Sequence, residues 1–211
     1  MSTSKSHYHH GDLRDSLLAA ALEMMEADGI DTVSMRKLAE RVGVSRSAPY
    51  HHFRDKQDLL SAIAEAGFYK QDALLSQLEG LEGRARLMGL MRSYIEFAAE
   101  HGEQYNLMYG RELWRQGNAT PSLEVVARQS FKKWLAEVEK LQASQTLPDH
   151  LPSVRVAQVG WATLHGLCRL VNDGIYMNYE DIEPMEQALG YAWCLTPSSS
   201  MGISFLQKRA Q

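Results

Sequence analysis

Between Ser34 and Phe53 the chain sets two short apolar-periodic segments on either side of one glycine, and few folds accommodate that arrangement. Ser34 can cap a helix whose buried side is Met35, Leu38, Ala39 and Val42, and Gly43 supplies the positive φ that ends it. Val44 leads directly to Ser45, which suits the cap of another short helix, Ser-Arg-Ser-Ala-Pro-Tyr-His-His-Phe, ending near Phe53. Two short helices joined by so tight a turn make a helix-turn-helix, and Ala39 is small enough to let them cross steeply.

The flanking sequence stays helical. Leu17, Leu18, Ala21, Leu22 and Met25 recur at three- and four-residue steps, with Asp12 placed to cap the segment and Gly29 to stop it. Asp55 is expected to cap a fourth helix, with Asp58 at its third position and Leu59, Leu60, Ile63, Phe68, Leu74, Leu75 and Leu78 continuing its apolar count. Gly80 and Gly83 interrupt that pattern, and the hinge between a small N-terminal domain and the rest is expected within or before this stretch. Further on, Leu87, Met91, Tyr94, Ile95 and Ala98, and then Leu123, Ala127, Phe131, Trp134, Val138 and Leu141, each read as one buried helix face. Pro121, Pro152 and Pro184 sit where a first helical turn tolerates proline. A helix from about Ser153 to Asp173 and a last one from Pro184 complete the pattern, and no alternating strand signal competes.

The expected fold is therefore all-α. A three-helix domain over residues 12–60 is joined by a long fourth helix to a larger helical domain over 61–195, with a flexible arm at 1–11 and a loose tail at 196–211. No stretch of 18 apolar residues is present, no apolar leader opens the chain, and Cys168 and Cys194 lack a CxxC spacing. A reducing cytoplasm is the expected compartment, with no membrane, metal or cofactor.

Charge is unevenly placed. The whole chain carries −4, yet residues 34–56 hold Arg36, Lys37, Arg41, Arg46, Arg54 and Lys56 against Glu40 and Asp55, a local net of +4. Such a concentration suits a polyanion, although on composition alone six such charges read first as a solvated face. The turn spacing shifts the balance towards nucleic acid.

The stretch from Leu13 to Leu60 resembles the DNA-binding domain of the tetracycline-repressor (TetR) family, with Ala39, Gly43, Val44, Ser45, Tyr50, Phe53 and Lys56 at the family's spacing. Farther on, Trp161 to Gly166, Trp-Ala-Thr-Leu-His-Gly, is similar to the signature of a subgroup with a so-called WHG C-terminal domain. The resemblance implies a homodimeric transcription regulator, most often a repressor, whose larger domain dimerises and binds a small molecule. Its partners would be a palindromic double-stranded operator and a small, mainly apolar effector. The sequence departs from the commoner pattern at Ala48-Pro49, where proline removes a donor and restrains the preceding residue.

On this reading the DNA surface comprises Ser34, Arg36, Ser45, Arg46, Ser47, Tyr50, His51 and Lys56. Arg46 and Ser47 lie where a recognition helix meets base edges, and a guanidinium can donate twice to guanine. Lys56 combines an ammonium with the free backbone N–H groups of a helix start, an anion site. Tyr50 fits either a core ring or a phosphate contact through its hydroxyl, and both can hold together. At the N-terminus His7, His9 and His10 fit a disordered arm, a minor-groove arm or an adventitious metal site.

In the larger domain the candidate effector residues are Tyr105, Met108, Tyr109, Trp134, Trp161 and His165. The same aromatic and Met positions also read as core packing. His165 and Cys168 are three residues apart, but no third orienting group or GxSxG motif accompanies them, so no catalytic residue is assigned. A small all-α enzyme using Glu96, Glu100 and His101, and a helical adaptor that binds protein through its basic face, are the competing functional classes. Ala157, Gly160 and Gly166, with Leu189 and Trp193 on the last helix, are expected to form the dimer surface.

Overall fold

The computed structural model describes residues 10–115, 117–175 and 182–194, and every regular element among them is helical. The N-terminal unit is α1 (His10–Asp28), α2 (Met35–Val42), a short 3-10 segment (Ala48–His51) and the start of α3 (Lys56–Leu74). The larger unit adds α4 (Gly83–Glu100), α5 (Gly102–Met108), α6 (Arg111–Trp114), α7 (Pro121–Ala143), α8 (Ser153–Asn172) and α9 (Ile182–Cys194).

The local signals explain these boundaries. Gly29, at φ +81, closes α1 with its N–H on the Met25 carbonyl at 2.8 Å, and Gly43, at φ +75, does the same for α2 in the left-handed region. Ser34 caps α2 by accepting from the Lys37 amide at 3.3 Å. At α3, Asp55 accepts from the Asp58 amide at 2.8 Å while the Asp58 carboxylate accepts from the Arg54 amide at 2.9 Å, a reciprocal cap that satisfies two otherwise orphaned donors. Thr120 caps α7 ahead of Pro121, and Gly174, at φ +66, follows α8.

Two expected helix starts are corrected. Helix α1 begins at His10, so Asp12 lies inside it, and residues 10 and 11 of the expected arm are helical. Pro152 is the residue before α8, not part of its first turn. The rest of the expected arm and the expected tail from 196 lie outside the described residues.

Helix α3 is the spine. It is buried on all sides from Leu59 to Ala64 because α1, α5 and α7 pack around it. A Cβ on Gly67 would come within 2.5 Å of the Met108 sulfur, so this glycine permits the close approach of α3 and α5. Above that contact Gln104 donates to the Ile63 carbonyl at 2.9 Å. The N-terminal core is Leu17, Ala21, Met25, Val33, Leu38 and Phe53 packed on Leu59 and Ile63, all buried. On the far side, Arg86 of α4 donates to Glu137 of α7 at 2.5 Å and to the Leu78 carbonyl at 2.8 Å, and Lys140 closes the pair from the other carboxylate oxygen at 2.8 Å. Burial disfavours the Glu137 charge, but these donors outweigh it and hold its pKa below the usual carboxylate range.

Helices α8 and α9 place Ala157 and Gly160 of the expected dimer surface inside the chain, while Gly166 stays on an open face. Ala157, Gly160 and Leu164 are buried within the chain. A Cβ on Gly160 would lie 2.8 Å from the Trp193 ring, and the Ala157 carbonyl accepts from Trp134 Nε1 at 2.9 Å. These small residues admit indoles of the same subunit. The face of α8 turned outward holds Val159, 66% exposed, with Ala162, Thr163 and Gly166.

Candidate functional site

The N-terminal surface is built by one turn and one proline. Where a third α-helix is expected from Ser45, the structure has a turn followed by a single 3-10 segment, Ala48–His51. The reason is the missing donor of Pro49. In an α-helix its N–H would bond the Ser45 carbonyl, and that carbonyl is taken by the Ala48 amide at 3.0 Å instead. Tyr50 and His52 repeat the three-residue pattern, donating to Ser47 and Pro49 at 3.1 and 3.0 Å. Ser45 therefore closes the turn with its carbonyl, while its hydroxyl lies 3.2 Å from that of Ser47.

Pro49 is buried, and this anchors the segment so that its other side chains face outward. Ser45, Arg46, Ser47 and His51 are exposed, and Tyr50 is 56% exposed, so the core reading of Tyr50 is not the one adopted. The cations of this segment differ in availability. Arg36 is paired with Glu40 at 3.8 Å, Arg41 with Glu23 at 3.0 Å and Arg54 with Asp58 at 3.6 Å. Arg46 has no carboxylate partner among the described residues. Lys56 is half-buried and donates to the Ile30 carbonyl at 3.1 Å, so its ammonium ties α3 to the turn after α1. The Ser34 hydroxyl is likewise engaged in its cap.

The larger unit holds a pocket of about 820 Å³ that is open to solvent on one side. Helix α3 contributes Phe68, Gln71 and Asp72, α4 contributes Leu90, Ser93 and Tyr94, α7 contributes Phe131 and Trp134, and α8 contributes Trp161 and His165, with Tyr109 after α5. Four of the six residues singled out in the sequence line it. Tyr105 and Met108 do not. They are fully buried behind the wall, because α5 turns them towards the α3 and α8 core. Helical spacing could mark Phe68 and Tyr94 as apolar positions, but nothing in the sequence marks Gln71.

A buried polar chain backs the aromatic wall. Trp161 Nε1 donates to Tyr94 Oη at 3.0 Å, Tyr94 Oη lies 3.0 Å from Tyr105 Oη, and Tyr105 Oη lies 2.6 Å from His165 Nδ1. Burial pushes the phenol pKa values of Tyr94, Tyr105 and Tyr109 up, so all three remain neutral. Burial, helped by the Arg169 charge, holds His165 below its ordinary value, so the imidazole is neutral at pH 7. Cys168 is free, and burial raises its pKa to about 12, leaving a thiol where a nucleophile would need a thiolate. Glu96 and Glu100 are exposed on α4, and no group of three metal-ligating side chains occurs among the described residues. Nor is any helix among them long and apolar enough to cross a membrane.

Comparison with known proteins agrees with both halves. Residues 17–63 match the family model described as bacterial regulatory proteins, tetR family, and residues 87–189 match the tetracyclin repressor-like C-terminal domain. The chain is similar to the class A tetracycline repressor protein from transposon 1721 of Escherichia coli, 38% identical over 80 residues, which are 38% of this chain and 37% of that one. It is 36% identical to an HTH-type transcriptional repressor of Mycobacterium tuberculosis over 119 residues, 56% of this chain and 63% of that one. The matches thus span less than two thirds of either relative. A solved structure of a protein with unknown function from Rhodococcus sp. RHA1 shares 34% identity and a TM-score of 0.75, covering 90% of this chain and all of that one. The TetR-family regulator PfmR of Thermus thermophilus, at 17% identity, 83% and 97% coverage and a TM-score of 0.64, shares the fold. With the helix-turn-helix and the larger helical unit each matched by a model of the same family, the chain belongs to the TetR family of bacterial regulatory proteins.

Proposed function

We propose that this protein is a ligand-responsive transcriptional repressor that binds a palindromic operator as a homodimer and is released by a small, mainly apolar effector. The observation that carries the reading is the exposed turn at Ser45–His51, which presents an arginine with no carboxylate partner among the described residues, two hydroxyls and an imidazole from a buried proline anchor. Arg46 and Ser47 read base edges, while Tyr50, Arg36 and the amides near Lys56 meet phosphate. Lys56 exchanges the Ile30 carbonyl for phosphate at little cost, since both are oxygen acceptors. The dimer forms across the outward face of α8, through Val159, Ala162 and Thr163, continued by Ala188 and Ala192 of α9. The cavity is the effector site, joined to the N-terminal unit through α3, which runs from the helix-turn-helix to Gln71 and Asp72 at the wall.

The test is selection of bound fragments from a random duplex library, followed by binding to the selected site over a range of salt. A two-fold symmetric site with half-sites about 34 to 36 Å apart, and affinity falling linearly in logarithmic salt, is expected. Selection of no sequence, or binding without steep salt dependence, would instead favour a protein-binding adaptor.

A further inference from the structure

The pocket joins an apolar interior to a charged mouth. Phe68, Leu90, Phe131, Trp134 and Trp161 wall the inside. The polar groups set among these rings are neutral and engaged. His165 commits Nδ1 to Tyr105 at 2.6 Å, the Ser93 hydroxyl donates to the Leu90 carbonyl at 3.2 Å, and Gln71 accepts from Tyr109 at 3.1 Å with its Nε2 buried in the wall. An ion drawn into this interior would lose its water and gain no counter-charge.

At the mouth the charges do not cancel. The Asp72 carboxylate, 9% exposed, accepts from Ser130 and Lys133, each at 2.7 Å, and is matched. Glu124, Arg128 and Lys132 all line the pocket and follow one another at four-residue steps along α7, a spacing that makes each the neighbour of the next. The Glu124 carboxylate pairs with Arg128 at 3.3 Å. Lys132 is exposed and has no carboxylate within ion-pair distance among the described residues. Two cations thus share one carboxylate on this strip, and one positive charge is left over beside the opening. A ligand whose apolar part fills the interior leaves its other end here, where an anion keeps part of its hydration and gains the Lys132 ammonium.

Resting on the reading of this pocket as the effector site, we propose that the effector is an amphipathic monocarboxylate, with its ring-bearing body among the aromatic walls and its carboxylate in the opening against Lys132. One surplus cation calls for one anionic group, and about 820 Å³ accommodates a body of drug-like size.

The experiment is titration calorimetry of the full chain with three probes on one skeleton: 4-biphenylacetate, the neutral 4-biphenylacetamide and the cationic 4-biphenylethylammonium. The acetate should bind about twofold to fivefold more tightly than the acetamide at low salt, the worth of one exposed ion pair, and the ammonium should bind more weakly than both. Raising the ionic strength from about 0.01 to about 1 M should erase the difference, because the Debye length falls from about 30 to about 3 Å. Lys132→Met should equalise acetate and acetamide while leaving the acetamide unchanged, and Lys132→Glu should place the acetate behind the acetamide. Lys70→Met, which removes an exposed lysine outside the lining, should keep the preference. Both positions are exposed, so the variants should fold. Equal binding of acetate and acetamide to the parent chain, a preference for the ammonium, or a preference that survives both Lys132 variants overturns the proposal. Loss of the preference in Lys70→Met overturns it too, by assigning the effect to the overall field of the protein. In each of these cases the acetamide still binds, and the pocket keeps its place as the ligand site. If none of the three probes binds, the reading of this pocket as the effector site fails, and the proposal falls with it.

Discussion

Replacing Arg46 with alanine separates sequence reading from the structural roles of its neighbours. Its guanidinium is exposed and has no carboxylate partner among the described residues, whereas Arg36, Arg41 and Arg54 each face one. Arg46→Ala should therefore leave stability within about 0.5 kcal/mol of the parent, the usual range for a surface position without a special partner. The effect on DNA is of another size. A bidentate arginine on guanine is worth about 1 to 3 kcal/mol, and a two-fold symmetric complex uses it twice. The loss is then about 2 to 6 kcal/mol per dimer, which is about 30-fold to about 20,000-fold in affinity. Fluorescence anisotropy on the selected duplex, from low to moderate salt, measures it, and repeating the library selection with the variant shows whether preference relaxes at particular base pairs. Tyr50→Phe should by contrast weaken all duplexes alike. If Arg46→Ala keeps the parental sequence preference while its salt slope falls by about 0.9 per contact, Arg46 lies on phosphate and the assignment of this turn to base edges is wrong.

Three further outcomes follow from contacts elsewhere. Glu137→Leu leaves the buried Arg86 with only the Leu78 and Leu81 carbonyls, and should cost about 3 kcal/mol in urea denaturation, most of it regained in Arg86→Met/Glu137→Leu; a loss below about 1 kcal/mol would refute the reading of a closed buried pair. Gly160→Leu should destabilise by about 1 to 3 kcal/mol by striking Trp193, whereas Val159→Glu should keep the melting temperature and sediment as a monomer; a dimeric Val159→Glu moves the interface off this face of α8. His165 is depressed below its ordinary value of 6.5, so the unfolded chain takes up its proton first and the stability tied to the neutral ring is complete above about pH 6.5 and lost as pH falls further. Thermal denaturation between pH 7.5 and 5 should thus show a drop that His165→Gln flattens, and an equal drop in the variant assigns the loss to other groups.

The elements that read cleanly in the sequence are those whose signals are local. Gly29 and Gly43 stop helices because their own φ values must be positive, and Ser34 and Asp55 cap because a short side chain reaches an amide three residues on. The apolar period of α4 and α7 places Leu87, Met91, Leu123 and Val138 in the core for the same reason. Pro49 was visible as a disturbance, but whether the segment stayed α-helical depended on which donor reached the Ser45 carbonyl first.

The sequence alone determined the helical class, the helix-turn-helix and the aromatic stock of the second domain, since propensity, capping and periodicity act within a turn or two of chain. Tertiary structure alone decided which rings face the cavity and which stand behind it. Tyr105 and Tyr109 lie four residues apart, at one helical spacing, yet one is sealed in the core and the other lines the wall, because α8 covers the first and α3 meets the second. The same holds for Gly160, a gap filled by Trp193 from 33 positions away, for Lys56 on Ile30, and for the orphan donor of Gln71. Each depends on what another segment brings to within a few ångströms, and such distances are set by packing the helices together, not by the order of residues along any one of them.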